Sequence, residues 1–176
     1  MCDEKDGGKA YRIPLNDGNA IPALGLGTFL GFDENGQKPV EEHEVEYPVK
    51  WALEAGYRMI DTAAAYHNED QVGAGVRASG VPRENVFVVT KPDDSGYDII
   101  DYVDTWKGME EAKKLGLAKS IGISNFNVSM IERLLANCEV KPTVLQVEVN
   151  LNLAQNKLLD YCKSQDIVVM AYTPFG

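Results

Sequence analysis

Short apolar runs separated by helix-like segments recur along this chain. Two of these runs, at 59–60 and 86–89, are each followed by polar residues. The polar residues are Asp61 and Thr62 after the first run, and Thr90 and Lys91 after the second. Unbroken apolar strands are typical of a parallel sheet that is covered on both faces. The pattern therefore predicts strand–helix–strand units, with Asp61 and Lys91 at the carboxyl ends of two consecutive strands.

The same pattern predicts six barrel strands and several helices. The strands are centred near residues 24, 59, 87, 121, 146 and 169. The helices cover the second half of 41–56, then 68–79, a stretch from 101 or 104 to 116, a stretch that begins at 127, and 154–165. Asn68 and Asn127 can cap two of these helices. Ahead of the first strand we expect a disordered tail at 1–10 and a small β-hairpin around the turn at 16–19, and after it a loop at 31–39.

Composition limits the classes of protein that this chain can represent. Its 176 residues are most simply one domain, at 11–176, and its net charge of −10 disfavours nucleic acid as a partner. No apolar run approaches the roughly 20 residues that span a bilayer, and the first residues lack a signal-peptide pattern, so no membrane association is expected. The three cysteines lack CxxC spacing. The lack of this spacing predicts free thiols in a reducing compartment and no metal site, with a cytoplasmic location as the default.

A carboxylate, a phenol and an amine follow one another at the predicted strand ends. They belong to Asp61, to Tyr66 five positions later, and to Lys91. In an α/β barrel the carboxyl ends of the strands form the face that carries the chemistry. An ammonium beside the phenol favours the phenolate, so it would lower the pKa of Tyr66 and make the phenol a better acid. Taken alone, Asp61 could instead cap the following turn, and Lys91 could be a solvated lysine at a strand end.

Five short motifs make the chain similar to the aldo-keto reductases. They are IDTAAAY at 60–66, VVTK at 88–91, KSIGISNF at 119–126, LQVEVNLN at 145–152 and MAYTPFG at 170–176. The similarity extends over about 11–176, nearly the whole chain. It implies an α/β fold of the (β/α)8 TIM-barrel type. It also implies an oxidoreductase that reduces small-molecule aldehydes or ketones to alcohols with NADPH.

The resemblance also implies roles for individual residues. Tyr66 would donate a proton to the carbonyl oxygen while hydride arrives from the nicotinamide, with Lys91 and Asp61 in support. The residues implied to bind the cofactor are Thr28, Asp61, Ser124, Asn125, Gln146, Tyr172 and Thr173. Within this set, the polar groups at 124, 125 and 146 would hold the nicotinamide carboxamide, and the ring at 172 would stack on the nicotinamide. Phe29 and Tyr66 would line the substrate pocket. As alternatives, the pair at 124–125 could simply start the next helix, and the ring at 172 could be barrel packing.

Two departures from the family pattern limit these implications. The family's histidine lies at the end of the strand after VTK, but here Lys91 is followed at once by PDDSG, and the only histidines, His43 and His67, lie elsewhere. A (β/α)8 domain typically needs about 250 residues. We therefore expect an incomplete barrel of about six of the eight parallel strands, with an internal deletion after Lys91 and a shortened carboxyl end. A splice product, an incomplete gene model or a fragment would each have this form.

Two functions are compatible with this sequence. The chain is either a working reductase or a catalytically inactive truncated form that lacks the histidine and the carboxyl-terminal cofactor clamp. The strands at 86–90 and 167–172 would have unpaired apolar edges, which favour pairing with another chain. We therefore expect the complete parent enzyme to be a monomer and this shorter chain to be prone to self-association.

Overall fold

The computed structural model describes residues 7–92 and 100–176. The chain divides into two compact units, the first formed by Met1–Ile13 with Ile21–Tyr97 and the second by Pro14–Ala20 with Asp98–Gly176. The predicted hairpin is present as β1 (Arg12–Pro14) and β2 (Ala20–Pro22). Of the predicted tail, the structure describes residues 7–10, and the Lys9 backbone N–H donates to the carbonyl of Gly56 at 3.1 Å. The single domain at 11–176 and the disorder of the tail stay predictions.

The first unit is built from a three-stranded parallel sheet, two helices and a short hairpin. In chain order its elements are β3 (Leu26–Gly27), β4 (Phe32–Asp33), β5 (Gly36–Gln37), α1 (Glu46–Glu54), β6 (Met59–Asp61), α2 (Glu69–Ala78) and β7 (Phe87–Val89). The sheet order is β3-β6-β7, with Ile60 opposite both Leu26 and Val88. Ile60 is fully buried among apolar side chains of both helices, which include Val49 and Val72. The central apolar strand β6 is thus buried between its two neighbours, as is typical of a parallel sheet.

The second unit repeats this plan. Its elements are α3 (Tyr102–Lys114), β8 (Ile123–Ser124), α4 (Val128–Leu135), β9 (Val144–Glu148), α5 (Asn156–Ser164) and β10 (Val168–Tyr172). The three strands form a parallel sheet in the order β10-β9-β8. The predicted cap at Asn127 is present, because its side chain accepts from the Met130 N–H. Of the two starts left open for α3, the structure has the one at Asp101, whose side chain accepts from the Val103 N–H.

Two local predictions were wrong. The segment 31–39, expected as loop, contains the antiparallel pair β4–β5. Asn68 precedes α2 but makes no side-chain capping bond, because its amide is engaged with residues of the neighbouring strand ends, described below. The first error arises because two-residue strands are too short to show an alternating pattern. The second arises because the Asn68 amide bonds to Thr28, which lies 40 positions earlier.

Within residues 7–92 and 100–176, the structure has six parallel strands, which agree in number and place with the prediction. Among the described residues, β7 pairs with β6 alone and β10 pairs with β9 alone. A cavity of about 240 Å³ lies beside β7, and its apolar lining includes Val72, Val76 and Val88. These edges are compatible with the expected self-association, which stays a prediction. Within the described ranges, no helix has the length and apolar character needed to cross a bilayer.

The turn at 15–19 carries an ion pair whose strength should depend on pH. Burial by itself raises the pKa of Asp17, but hydrogen bonds from Lys113, Asn19 and Ser120 outweigh it and hold the pKa below the ordinary value. The Lys113 Nζ lies 2.8 Å from the Asp17 carboxylate. A carboxylate with a depressed pKa in the folded state stabilises the fold above its unfolded-state pKa, and the gain disappears as the pH falls through the folded-state pKa.

We therefore expect Asp17→Asn to be less stable than the unsubstituted chain near neutral pH, with the difference beginning to shrink near a pH of about 4 and disappearing at lower pH. Urea unfolding at a series of pH values measures this. Asp104→Asn is the control, because the Asp104–Lys107 pair is exposed at both ends and such pairs contribute little. A gap between Asp17→Asn and the unsubstituted chain that stayed constant with pH would contradict the expectation.

Candidate active site

The carboxyl ends of β6 and β7 bring Asp61 and Lys91 together. The two strands run parallel with Asp61 opposite Val89, and the Thr62 N–H donates to the Val89 carbonyl at 2.8 Å. The Lys91 Nζ donates to both carboxylate oxygens of Asp61 and to the carbonyl of Thr62, each at 2.9 Å. Three acceptors satisfy the three hydrogens of the ammonium. Both side chains are largely buried, with 25% of Lys91 and 13% of Asp61 exposed.

Tyr66 lies beside this ion pair. It ends a 3₁₀ turn at Ala64–Tyr66, and the left-handed conformation of His67 (φ 53°) turns the chain sharply after it. The Lys91 Nζ lies 5.3 Å from the centre of the Tyr66 ring. On another side the Phe29 ring packs against Tyr66 with 5.0 Å between ring centres. The Tyr66 ring thus lies near both a cation and an aromatic side chain that was predicted to line the substrate pocket.

The pKa of Tyr66 is the one electrostatic prediction that the structure reverses. Burial of the phenol and the negative charge of Asp61 both raise the pKa above its ordinary value. We expected Lys91 to lower it. The difference has two physical reasons. Burial of the phenol disfavours the phenolate, and the carboxylate of Asp61, which bonds to the Lys91 ammonium through both oxygens, offsets the positive charge of that ammonium. Tyr66 is consequently a neutral phenol at physiological pH and carries the proton that a general acid needs.

Thr28 connects β3 to the same site. Its backbone N–H and its hydroxyl both lie 3.0 Å from the carbonyl oxygen of Asp61. The buried side chain of Asn68 bonds to Thr28 and Thr62. The sequence analysis did not predict that Asn68 bonds to Thr28 and Thr62. The one local indication was its position as a polar residue directly after Tyr66 and His67.

The predicted cofactor-binding residues of the second unit converge at the carboxyl ends of its sheet. Ser124 lies opposite Gln146 in the register of β8 and β9, and the Asn125 N–H donates to the Gln146 carbonyl at 2.9 Å. The Tyr172 hydroxyl lies 3.0 Å from the Asn125 Oδ1. Gln146 is buried, whereas about a third of Tyr172 is exposed. Thr173 follows with a left-handed backbone (φ 46°).

The two histidines do not contact Asp61, Tyr66 or Lys91 in the bonds described for them. His43 is exposed and bonded to Glu46, with 2.8 Å between Nδ1 and the carboxylate, and His67 is exposed in the turn after Tyr66. A further aromatic side chain that the sequence analysis did not single out is Phe32, which packs edge-on against Phe29 with 5.3 Å between ring centres. It extends the aromatic cluster beside Tyr66.

The class of protein to which this chain belongs follows from its fold and from a comparison of its sequence with known families. The sequence profile of the Aldo/keto reductase family matches residues 23–99 and 92–176. The chain belongs to this family, which confirms the resemblance found in the sequence.

Particular relatives show the same likeness. An aldo-keto reductase of Bombyx mori, AKR2E4, is 42% identical over 93% of this chain and 66% of its own length. The glyoxal reductase of Bacillus subtilis is 39% identical over 92% of this chain and 66% of its own length. The crystal structure of AKR2E4 in complex with NADP covers 95% of this chain and 67% of that chain, with a TM-score of 0.84 and 39% identity.

The chain spans about two thirds of the length of these relatives. Its fold is an incomplete (β/α)8 barrel, as predicted. The family profile matches in two pieces that meet at 92–99, directly after the predicted deletion point at Lys91. The alignment to AKR2E4 is 207 positions long, which exceeds the whole of this chain. The relative therefore carries residues inside the aligned region that this chain lacks.

Proposed function

We propose that this chain reduces aldehydes or ketones to alcohols with NADPH, using Tyr66 as the proton donor. The observation that carries the proposal is the Lys91 ammonium, which is fixed by three hydrogen bonds to Asp61 and Thr62 and lies 5.3 Å from the Tyr66 ring. An acid, a cation and an aromatic wall in one place suit a carbonyl oxygen that gains negative charge as it is reduced. The oxidoreductase class and NADP as cofactor agree with the relatives.

The residues of the second unit suit a nicotinamide. Hydroxyl and amide groups of Ser124, Asn125 and Gln146 stand at neighbouring strand ends, and such groups can donate to and accept from a carboxamide. The exposed part of the Tyr172 ring offers a surface for stacking. NADPH, when bound, supplies the hydride. Thr28 and Thr173 complete the proposed set of cofactor contacts.

Tyr66 would supply the proton. The phenol O–H transfers its proton to the carbonyl oxygen as that oxygen becomes an alkoxide, and the phenolate that remains lies beside the Lys91 ammonium. Because the family's histidine has no counterpart at a matching position in the sequence, Tyr66 would carry the proton transfer without it. Phe29 would contact the organic part of a small carbonyl substrate.

One observation favours the second candidate, a catalytically inactive truncated form. The family profile matches in two pieces, and the relatives carry residues inside the alignment that this chain lacks. The histidine predicted for the family belongs to the region around that gap. Other enzymes that lose one member of a catalytic set of residues keep residual catalysis. The two candidate functions therefore differ in whether this chain shows any turnover.

Absorbance at 340 nm separates the two candidates. We expect purified chain to oxidise NADPH slowly in the presence of 4-nitrobenzaldehyde, with stoichiometric formation of 4-nitrobenzyl alcohol. Titration of NADPH fluorescence tests cofactor binding in the same sample. Binding without alcohol formation would support the inactive form, and the absence of both would overturn the proposal. Size-exclusion chromatography of the sample tests self-association, and the cytoplasmic location stays a prediction.

A further inference from the structure

Asn68 is a buried amide between two strand ends. Its side chain is 1% exposed. The Oδ1 accepts from the Thr62 hydroxyl at 2.9 Å and lies 3.4 Å from the Thr28 hydroxyl, and the Nδ2 donates to the Thr28 carbonyl at 2.8 Å. The carbonyl can only accept, so the amide orientation is unambiguous. One side chain therefore joins the carboxyl ends of β3 and β6.

These contacts continue to the Lys91 ammonium. Every acceptor of the ammonium belongs to Asp61 or Thr62. The Asp61 carbonyl is held by Thr28, and the Thr62 side chain is held by Asn68. The position of the ammonium thus depends on a two-residue segment that Asn68 holds both directly and through Thr28.

We propose that Asn68 is a positioning residue that fixes the Asp61–Thr62 segment and thereby holds the Lys91 ammonium beside Tyr66. The inference rests on the proposed function for its catalytic meaning, but its structural content is independent of activity. Asn68 touches neither the ammonium nor the phenol in the contacts described. Asn68 acts by fixing the segment that carries the two carboxylate oxygens of Asp61 and the carbonyl of Thr62. In that position all three oxygens can accept hydrogen bonds from the one ammonium of Lys91. A displacement of about 1 Å at a reacting group can lower a rate on the order of a hundredfold.

The test is the exchange of the Lys91 ammonium hydrogens with solvent. In protein labelled with ¹⁵N-lysine, a fully bonded ammonium exchanges slowly enough to give an ¹H–¹⁵N cross-peak at low temperature and mildly acidic pH. The loss of one peak in Lys91→Met assigns it. We expect Asn68→Leu, which keeps the side-chain volume and removes the amide, to lose this cross-peak. If the chain reduces carbonyls, kcat should also fall on the order of a hundredfold.

Gln71→Leu is the matched control. Gln71 is an amide in the first turn of α2, the helix that Asn68 precedes. Its bonds lead away from Asp61 and Lys91, because its Oε1 accepts from the Val45 N–H at 2.9 Å and its Nε2 donates to the Glu41 carbonyl at 2.7 Å. Its removal should lower stability but leave the Lys91 cross-peak in place. General loosening of the unit would instead affect the peak in both variants.

Each outcome decides the inference. Loss of the cross-peak in Asn68→Leu with retention in Gln71→Leu supports it. Retention in Asn68→Leu, or loss in both, overturns it. If Asn68→Leu does not fold, the isosteric Thr62→Val, which deletes only the hydroxyl bonded to Asn68, is measured in the same way, and a retained peak there overturns the inference. An unsubstituted chain without reductase activity would refute the proposed function but leave this comparison fully readable.

Discussion

Tyr66→Phe is expected to lower kcat for carbonyl reduction by about 10²- to 10⁴-fold, the usual contribution of a positioned general acid. The substitution removes one oxygen and keeps the ring, so the packing against Phe29 at 5.0 Å and the position under the Lys91 ammonium at 5.3 Å can persist. NADPH affinity should therefore change little. The measurement is NADPH oxidation at 340 nm, combined with fluorescence titration of the cofactor.

The control for this experiment is Tyr47→Phe. Tyr47 lies exposed on α1, where its ring stacks on Trp51 with 5.8 Å between ring centres. Loss of its hydroxyl should leave both activity and cofactor affinity unchanged. If Tyr66→Phe retained the activity of the unsubstituted chain, Tyr66 would not be the proton donor, and the proposed mechanism would be wrong.

Lys91→Met is expected to destabilise the fold by about 2 kcal/mol and to abolish measurable reduction. Methionine has a similar length but no charge and no donors, so three hydrogen bonds are lost and the Asp61 carboxylate, only 13% exposed, loses its cation. Removal of one partner from a buried charged pair costs about 1.5–5 kcal/mol, because the remaining charge is left uncompensated. Urea unfolding followed by circular dichroism measures the loss.

The same change at Lys50 provides the comparison. Lys50 pairs with Glu54 one helical turn away at 2.8 Å, and 44% of the Glu54 side chain is exposed. Pairs of this kind contribute about 0.5 kcal/mol or less. We therefore expect Lys50→Met to unfold at nearly the urea concentration of the unsubstituted chain. Equal losses in the two variants would show that the Asp61–Lys91 pair has no special structural weight.

The meeting of Asp61 and Lys91 could be predicted because parallel strands place their carboxyl ends on one side of a sheet. The apolar runs at 59–60 and 86–89 identify the strands, and the next polar residues must then be neighbours. The caps at Asp101 and Asn127 could be predicted for a similar reason. A capping side chain bonds to backbone two or three residues away, so its whole geometry lies within a short stretch of sequence.

Other features depend on partners that no local pattern reveals. Asn68 has the local sequence of a cap, but it bonds to Thr28, which lies 40 positions earlier. The two-residue strands of β4–β5 are too short for an alternating pattern, and Gln37 at their end bonds to the Ala65 carbonyl at 2.8 Å. The pKa of Tyr66 is raised by burial of the phenol and by the nearby charge of Asp61, and a sequence contains neither the burial nor the distance.

By itself the sequence determined the family through its resemblance in five motifs, and the order of apolar runs determined the parallel strands. The polar residues at the strand ends identified the groups proposed for catalysis. These features depend on residue type and spacing, and they do not depend on how individual side chains pack. Only the tertiary structure decided which polar groups bond to one another. Hydrogen-bond energy changes steeply with distance and angle, so the full pairing of Lys91 with Asp61 and the position of the Asn68 amide required the folded geometry.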